Sequence, residues 1–121
     1  MEVLTKAEEQ VMHLLWNLGP SYVKDLVAAM PAPRPAYTTV STIVRILEEK
    51  GFVKHEAHGR THRYQARVSK EAYGSRSMKR LVRDYFEGSP KELLSFFLDR
   101  EKLDAQEVDA LLKLIRSKRP S

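Results

Sequence analysis

At Gly51 the hydrophobic period of this chain changes, and that change limits the folds open to it. Before it, apolar residues recur at helical spacing; after it, they alternate as on a strand. Residues 38–50 (TTVSTIVRILEEK) put Val40, Ile43, Val44 and Leu47 on one stripe of a helix. Residues 52–57 and 62–68 are aromatic, β-branched and alternating, with Gly59 between them, and read as a hairpin.

Two helices precede that third one. Thr5-Lys6-Ala7-Glu8 is a capping box, in which the threonine receives a backbone N–H and the glutamate reaches back. Ala7, Val11, Leu14, Leu15 and Leu18 then follow at helical spacing, and Gly19-Pro20 ends the run. Ser21 is expected to cap a second helix carrying Val23, Leu26, Val27 and Met30. Prolines at 31, 33 and 35 make the next connection stiff and non-helical.

After the hairpin three more helices are expected. Ser69 opens one that runs to about Glu87 and stops at Gly88. Ser89-Pro90-Lys91-Glu92 and Asp104-Ala105-Gln106-Glu107 are further capping boxes. They lead helices rich in Leu93, Leu94, Phe96, Phe97 and Leu98, and in Val108, Leu111, Leu112 and Ile115. The fold class is thus mostly α with a small β-hairpin: a winged helix-turn-helix domain over 1–68 and a helical region over 69–121. The later region is too short for its own core, so its large apolar residues are expected to meet a second copy. The dimerisation set is Leu81, Tyr85, Leu93, Leu94, Phe96, Phe97, Leu111, Leu112 and Ile115.

Charge divides the chain. The net charge is +5, but residues 54–83 hold nine Lys/Arg against two acids, and residues 84–109 hold eight acids against three bases. A basic middle of this kind is the footprint of a protein that meets an anionic polymer. No apolar run approaches the roughly 18 residues of a membrane span, and no secretory leader is evident, so a cytoplasmic protein is expected. With no cysteine there is neither disulfide nor thiolate metal site.

The segment HEAHGRTHRY (55–64) tests the enzyme alternative. Its histidines resemble the H-E-x-x-H zinc motif but are one residue short, and they fall on a strand rather than a helix. Residues three apart on a strand point to opposite faces, so His55 and His58 cannot converge on one ion. His62 can approach one of them across the hairpin, but two histidines make a poor zinc site. No carboxylate pair or nucleophile–base pair stands out; the expectation is no catalytic residue, no metal and no cofactor. The same residues make a cationic hairpin tip: Lys54, His58, Arg60, His62 and Arg63 around Gly59. Arginine forks suit phosphates and narrow minor grooves. Tyr64 is expected to pack inward.

A helix entering the major groove exposes small hydrogen-bonding groups near its start. Thr38, Thr39, Ser41 and Thr42 supply them, with Arg45 one turn on. Ser21 and Tyr22, at the start of the second helix, are expected to grip flanking phosphates. Arg76, Lys79, Arg80 and Arg83 form a basic stripe opposite Met78, Leu81, Val82 and Tyr85.

LTKAEEQVMHLLW (4–16), TTVSTIVRILEEKGFV (38–53) and GRTHRYQA (59–66) together resemble the BlaI/MecI/CopY family of bacterial repressors, and the resemblance extends over nearly the whole chain. It implies a homodimeric winged-helix repressor that binds an inverted-repeat operator in double-stranded DNA at resistance genes. Two departures stand out. The paired C-terminal cysteines of the copper-responsive branch are missing. Where the β-lactam-responsive branch is cut at an Asn-Phe bond by a membrane sensor protease, this chain has Phe96-Phe97. The alternative from another class is a winged-helix protein-interaction module with no DNA role.

Overall fold

The structure, a computed structural model, describes residues 3–118; the outer ends of the two expected domains, 1–2 and 119–121, lie outside the described residues. The chain forms two compact units, Met1–Ser77 and Met78–Ser121.

The first unit begins with α1 (Lys6–Leu18), β1 (Ser21–Tyr22), α2 (Val23–Ala29) and α3 (Tyr37–Glu49). The hairpin follows as β2 (Val53–His58) and β3 (Thr61–Ala66), then the first half of α4 (Lys70–Tyr85). The capping box that starts α1 is complete: Glu8 N–H donates to Thr5 Oγ1 at 3.1 Å, and Thr5 N–H donates to Glu8 Oε1 at 2.8 Å. The core gathers Leu4 from the segment before α1, Val11, Met12 and Leu15 from α1, Leu26 from α2, Val40, Val44 and Leu47 from α3, and Phe52, Val53, Tyr64 and Tyr73. Each fully buried aliphatic side chain in this set contributes about 1.5–3 kcal/mol. Ala7 and Leu18, expected on the buried stripe of α1, are exposed. The buried arc is instead completed by Leu4, Met12 and the carboxylate of Glu8.

Three strands form the sheet, in the order β1-β3-β2, all antiparallel. The two-residue β1 replaces the expected start of a helix. Gly19 takes φ 80°, a left-handed value that glycine tolerates without strain, and the chain leaves it extended. Ser21 then lies opposite Tyr64, and Tyr22 opposite Arg63. Ser21 is therefore a strand residue, not a cap; Tyr22 takes the N-cap position, and its N–H donates to Asp25 Oδ2 at 3.1 Å. In the hairpin, His58 pairs with Thr61, leaving a two-residue turn of Gly59 and Arg60. The positive φ at Gly59, 65°, with none at Arg60, is the arrangement of a type II′ turn, whose twist suits antiparallel strands.

The first compact unit runs past the hairpin into α4, as far as Ser77. Tyr73 is buried between the rings of Trp16, at 6.0 Å, and Phe52, at 5.8 Å, and its hydroxyl donates to Glu9 Oε2 at 2.8 Å. Trp16 Nε1–H donates to Val68 O at 2.9 Å. These contacts tie the opening turns of α4 to α1.

The second unit holds the end of α4, α5 (Pro90–Arg100) and α6 (Ala105–Lys118). Ser89 and Asp104 accept from the N–H groups of Glu92 and Glu107, as their sequence signatures require. Neither α5 nor α6 has a buried residue. None of the helices among the described residues is long and apolar enough to cross a membrane.

Candidate nucleic-acid interface

The outer face of α3 is a row of hydroxyls. Thr38, Thr39 and Thr42 are exposed and Ser41 is half-buried, while Val40, Val44 and Leu47 anchor the opposite stripe in the core. Thr42 donates its hydroxyl proton to Thr38 O at 2.9 Å, the back-bond that threonine makes inside helices. Its lone pairs stay on the outer face, and Arg45 Nη2 lies 3.4 Å from Thr42 Oγ1, so the guanidinium leans along the helix beside the threonine. This puts one planar donor fork next to a run of small hydrogen-bonding groups, the chemistry that reads base edges and phosphates.

Beside the start of α3 runs a groove of about 320 Å³ lined by Tyr22, Val23, Lys24, Tyr37, Thr61 and His62. It brings together the β1–α2 junction, the start of α3 and the start of β3. Tyr22 and His62 were expected at the surface that meets DNA; Lys24 and Tyr37 were not. Tyr37, 55% exposed, is the first residue of α3. Its signal in the sequence was a tyrosine placed immediately before the threonines, larger than the small aliphatic hydroxyls that follow it. Lys24 stands two residues after Tyr22, with its ammonium 5.9 Å from the centre of that ring.

The register of the hairpin sorts its charges by face. Directly paired residues share a face, so Val53, His55 and Ala57 lie with Ala66, Tyr64 and His62, while Lys54, Glu56 and His58 lie with Gln65, Arg63 and Thr61. His55 and His58 thus point to opposite faces. Tyr64 packs inward, as expected, and burial, followed by the nearby Glu48 carboxylate, pushes its hydroxyl above the usual range. Arg60 is exposed at the turn and His58 beside it, with the Tyr22 ring 6.1 Å from that of His58. Arg63 does not join the groove. It lines a neighbouring cleft with Pro20, Lys54, His55, Glu56 and Gln65. Ser21 also leaves the candidate surface: it is 4% exposed and its hydroxyl donates to Gly19 O at 2.8 Å. Of the basic stripe, Arg76 lines a cleft with Lys50 and Arg67 at the end of α3, and Arg83 pairs with its neighbour Asp84 at 2.9 Å. Among the described residues no three His, Cys, Asp or Glu are placed to hold a metal ion.

In the second unit the expected apolar set is exposed or half-buried throughout. Leu81, Tyr85, Leu94, Phe96, Phe97, Leu112 and Ile115 are exposed, and Leu93 and Leu111 are half-buried. The ring of Phe96 stands 5.4 Å from that of Phe86, and between α4 and α5 a groove of about 640 Å³ opens, lined by Leu81, Tyr85, Phe86 and Phe96 with Glu92, Ser95 and Asp99.

The sequence profile of the penicillinase repressor family matches residues 4–117. The chain belongs to that family. Among relatives, it is 28% identical over 120 residues to an uncharacterised 16.5 kDa protein in the ptsI 3′ region of Latilactobacillus sakei, over 95% of this chain and 80% of that protein. It is 20% identical over 116 residues to the methicillin resistance regulatory protein MecI of Mammaliicoccus sciuri, over 95% of this chain and 94% of MecI. The crystal structure of a possible transcriptional regulator for arsenical resistance superposes with a TM-score of 0.53 at 24% identity, over 79% of this chain and 88% of that one. That likeness bears on the fold, and it is a winged-helix fold. As a member of the penicillinase repressor family the chain is a DNA-binding transcriptional repressor, not an enzyme.

Proposed function

We propose that this member of the penicillinase repressor family works in the cytoplasm as a homodimer on an inverted-repeat operator. Each copy lays α3 in a major groove, with half-sites a whole number of helical turns apart, roughly 34 Å per turn. Thr38, Thr39, Ser41, Thr42 and Arg45 face the base edges. Tyr22, Lys24, Tyr37 and His62 seat the backbone beside them, and His58, Arg60 and Arg63 of the wing extend the contact. The observation that carries this reading is the groove in which the start of α3, the β1–α2 junction and the wing meet. Phosphate contacts set the register, and α3 supplies the sequence preference. Repression follows from occupying a site that polymerase needs.

Dimerisation is supported by the ring-rich, solvent-exposed faces of α4, α5 and α6, where Tyr85 is 75% exposed and Phe96 47%. Tethering two readers multiplies affinity for a two-half-site operator. Likeness to MecI supports genes of antibiotic resistance as targets. The family resemblance offers a membrane sensor protease as inducer, acting at Phe96-Phe97 in α5.

Sedimentation velocity with a duplex titration tests the reading. A dimer that binds double-stranded DNA with a steep salt dependence is the expected result, and Arg60→Ala reduces the salt slope by about one unit. A monomer indifferent to duplex overturns it and leaves a protein-interaction module.

A further inference from the structure

Glu48 and His55, neither of them in the groove, tie the wing to α3, and His62 of the groove stacks on the pair. His55 Nδ1–H donates to Glu48 Oε2 at 2.6 Å, and Glu48 belongs to the last turn of α3. The imidazoles of His55 and His62 lie face to face, with centroids 4.1 Å apart and planes 10° from parallel. The register requires this, because His55 opposes Tyr64 and His62 is two residues away on the same face. Tyr64 closes the cluster from beneath, 5.7 Å from His55 and 6.2 Å from His62.

We infer that Glu48 and His55 are positioning residues: through the stacked His62 they hold the wing at one angle to α3, so that both meet DNA together. The inference rests on the proposed role of the wing in binding. Beyond Arg63, where β1 no longer pairs with β3, the wing is a two-stranded ribbon, a form only marginally stable in water, and five of the six β2 residues are exposed. A latch at its base raises the share of free molecules whose wing already sits where DNA needs it, and apparent affinity scales with that share. Lys54, Glu56 and His58 point to the opposite face of the hairpin.

The test uses the full chain as wild type, Glu48→Gln, His55→Gln and the double variant, titrated with a mixed-sequence 30-base-pair duplex pool. Each single variant is expected to bind about 3–10-fold more weakly. The double variant is expected to be no worse than the weaker single. In the free protein, amide exchange over 54–65 is expected to quicken in each variant while that of Val40, Val44 and Leu47 holds. His58→Gln, on the other face, is expected to leave hairpin exchange unchanged. Additive losses or unchanged hairpin exchange overturn the latch. A wild type that ignores the duplex overturns the DNA reading instead, and the exchange measurement tells the two failures apart.

Discussion

Burying a carboxylate is costly unless its oxygens are satisfied, and Glu8 is buried with both of them engaged. Thr5 N–H donates to Oε1, and the Lys50 ammonium lies 3.0 Å from Oε1 and 2.9 Å from Oε2. Burial alone would raise this carboxyl, but the hydrogen bonds from Thr5 and Lys50 and the lysine's charge outweigh it and hold the group below the usual range. The folded value is therefore the lower one. The stabilisation is complete above the unfolded carboxyl's value, about 4.3, and is lost as pH falls through the folded value. Glu8→Gln is expected to cost about 1–3 kcal/mol at neutral pH. Urea midpoints at pH 7 and in acid check this, and the gap between wild type and variant should close in acid. The sequence displayed Glu8 only as half of a capping box; its second partner lies 42 residues away, where no local pattern reaches. On α3, Thr42→Ala and Arg45→Ala are expected to change which sequences bind. Competition between duplexes differing at single base pairs reads this, at about 1–3 kcal/mol per lost specific contact.

At the scale of elements, caps and periods were strong enough to place every helix and the hairpin to within a residue or two. Thr5, Ser89 and Asp104 each do at a helix start what their side chains imply. Two features escaped for physical reasons. A two-residue strand has no period, so β1 was invisible, and with it the burial of Ser21 and the placing of Tyr22 beside Tyr37. The packing of Tyr73 escaped because α4 reads as one continuous helix in sequence, while that ring belongs to the core of α1 and Phe52. A fragment ending at Ser77 is accordingly expected to fold. One ending at Val68 loses the Tyr73 side chain and bares Trp16 and Phe52. A loss of about 3–5 kcal/mol is expected from removing the ring alone, as in Tyr73→Ala. Chemical denaturation of the two fragments and the variant provides the comparison. Tyr73→Phe, which keeps the ring and gives up the bond to Glu9, should cost only about 1 kcal/mol.

For the whole molecule, the reading joins two surfaces that lie in different units. One unit carries the hydroxyl row of α3 and the wing; the other exposes Leu81, Tyr85, Phe96 and Phe97 to solvent. Composition foretold both, through the basic middle and the apolar later helices, because each is a matter of residue type at regular spacing. The groove at the start of α3 was only half legible, since Lys24 and Tyr37 join it through the fold rather than through a motif. Phe96→Asp is expected to shift the chain from dimer to monomer in sedimentation without loss of helix, and to weaken binding to a two-half-site duplex far more than to a single half-site. The most direct test of the central claim is selection of bound sequences from a random duplex pool by the intact protein. The account predicts an enriched inverted repeat whose half-sites are separated by whole helical turns. Enrichment of a single unrepeated site, or of no sequence at all, would contradict it.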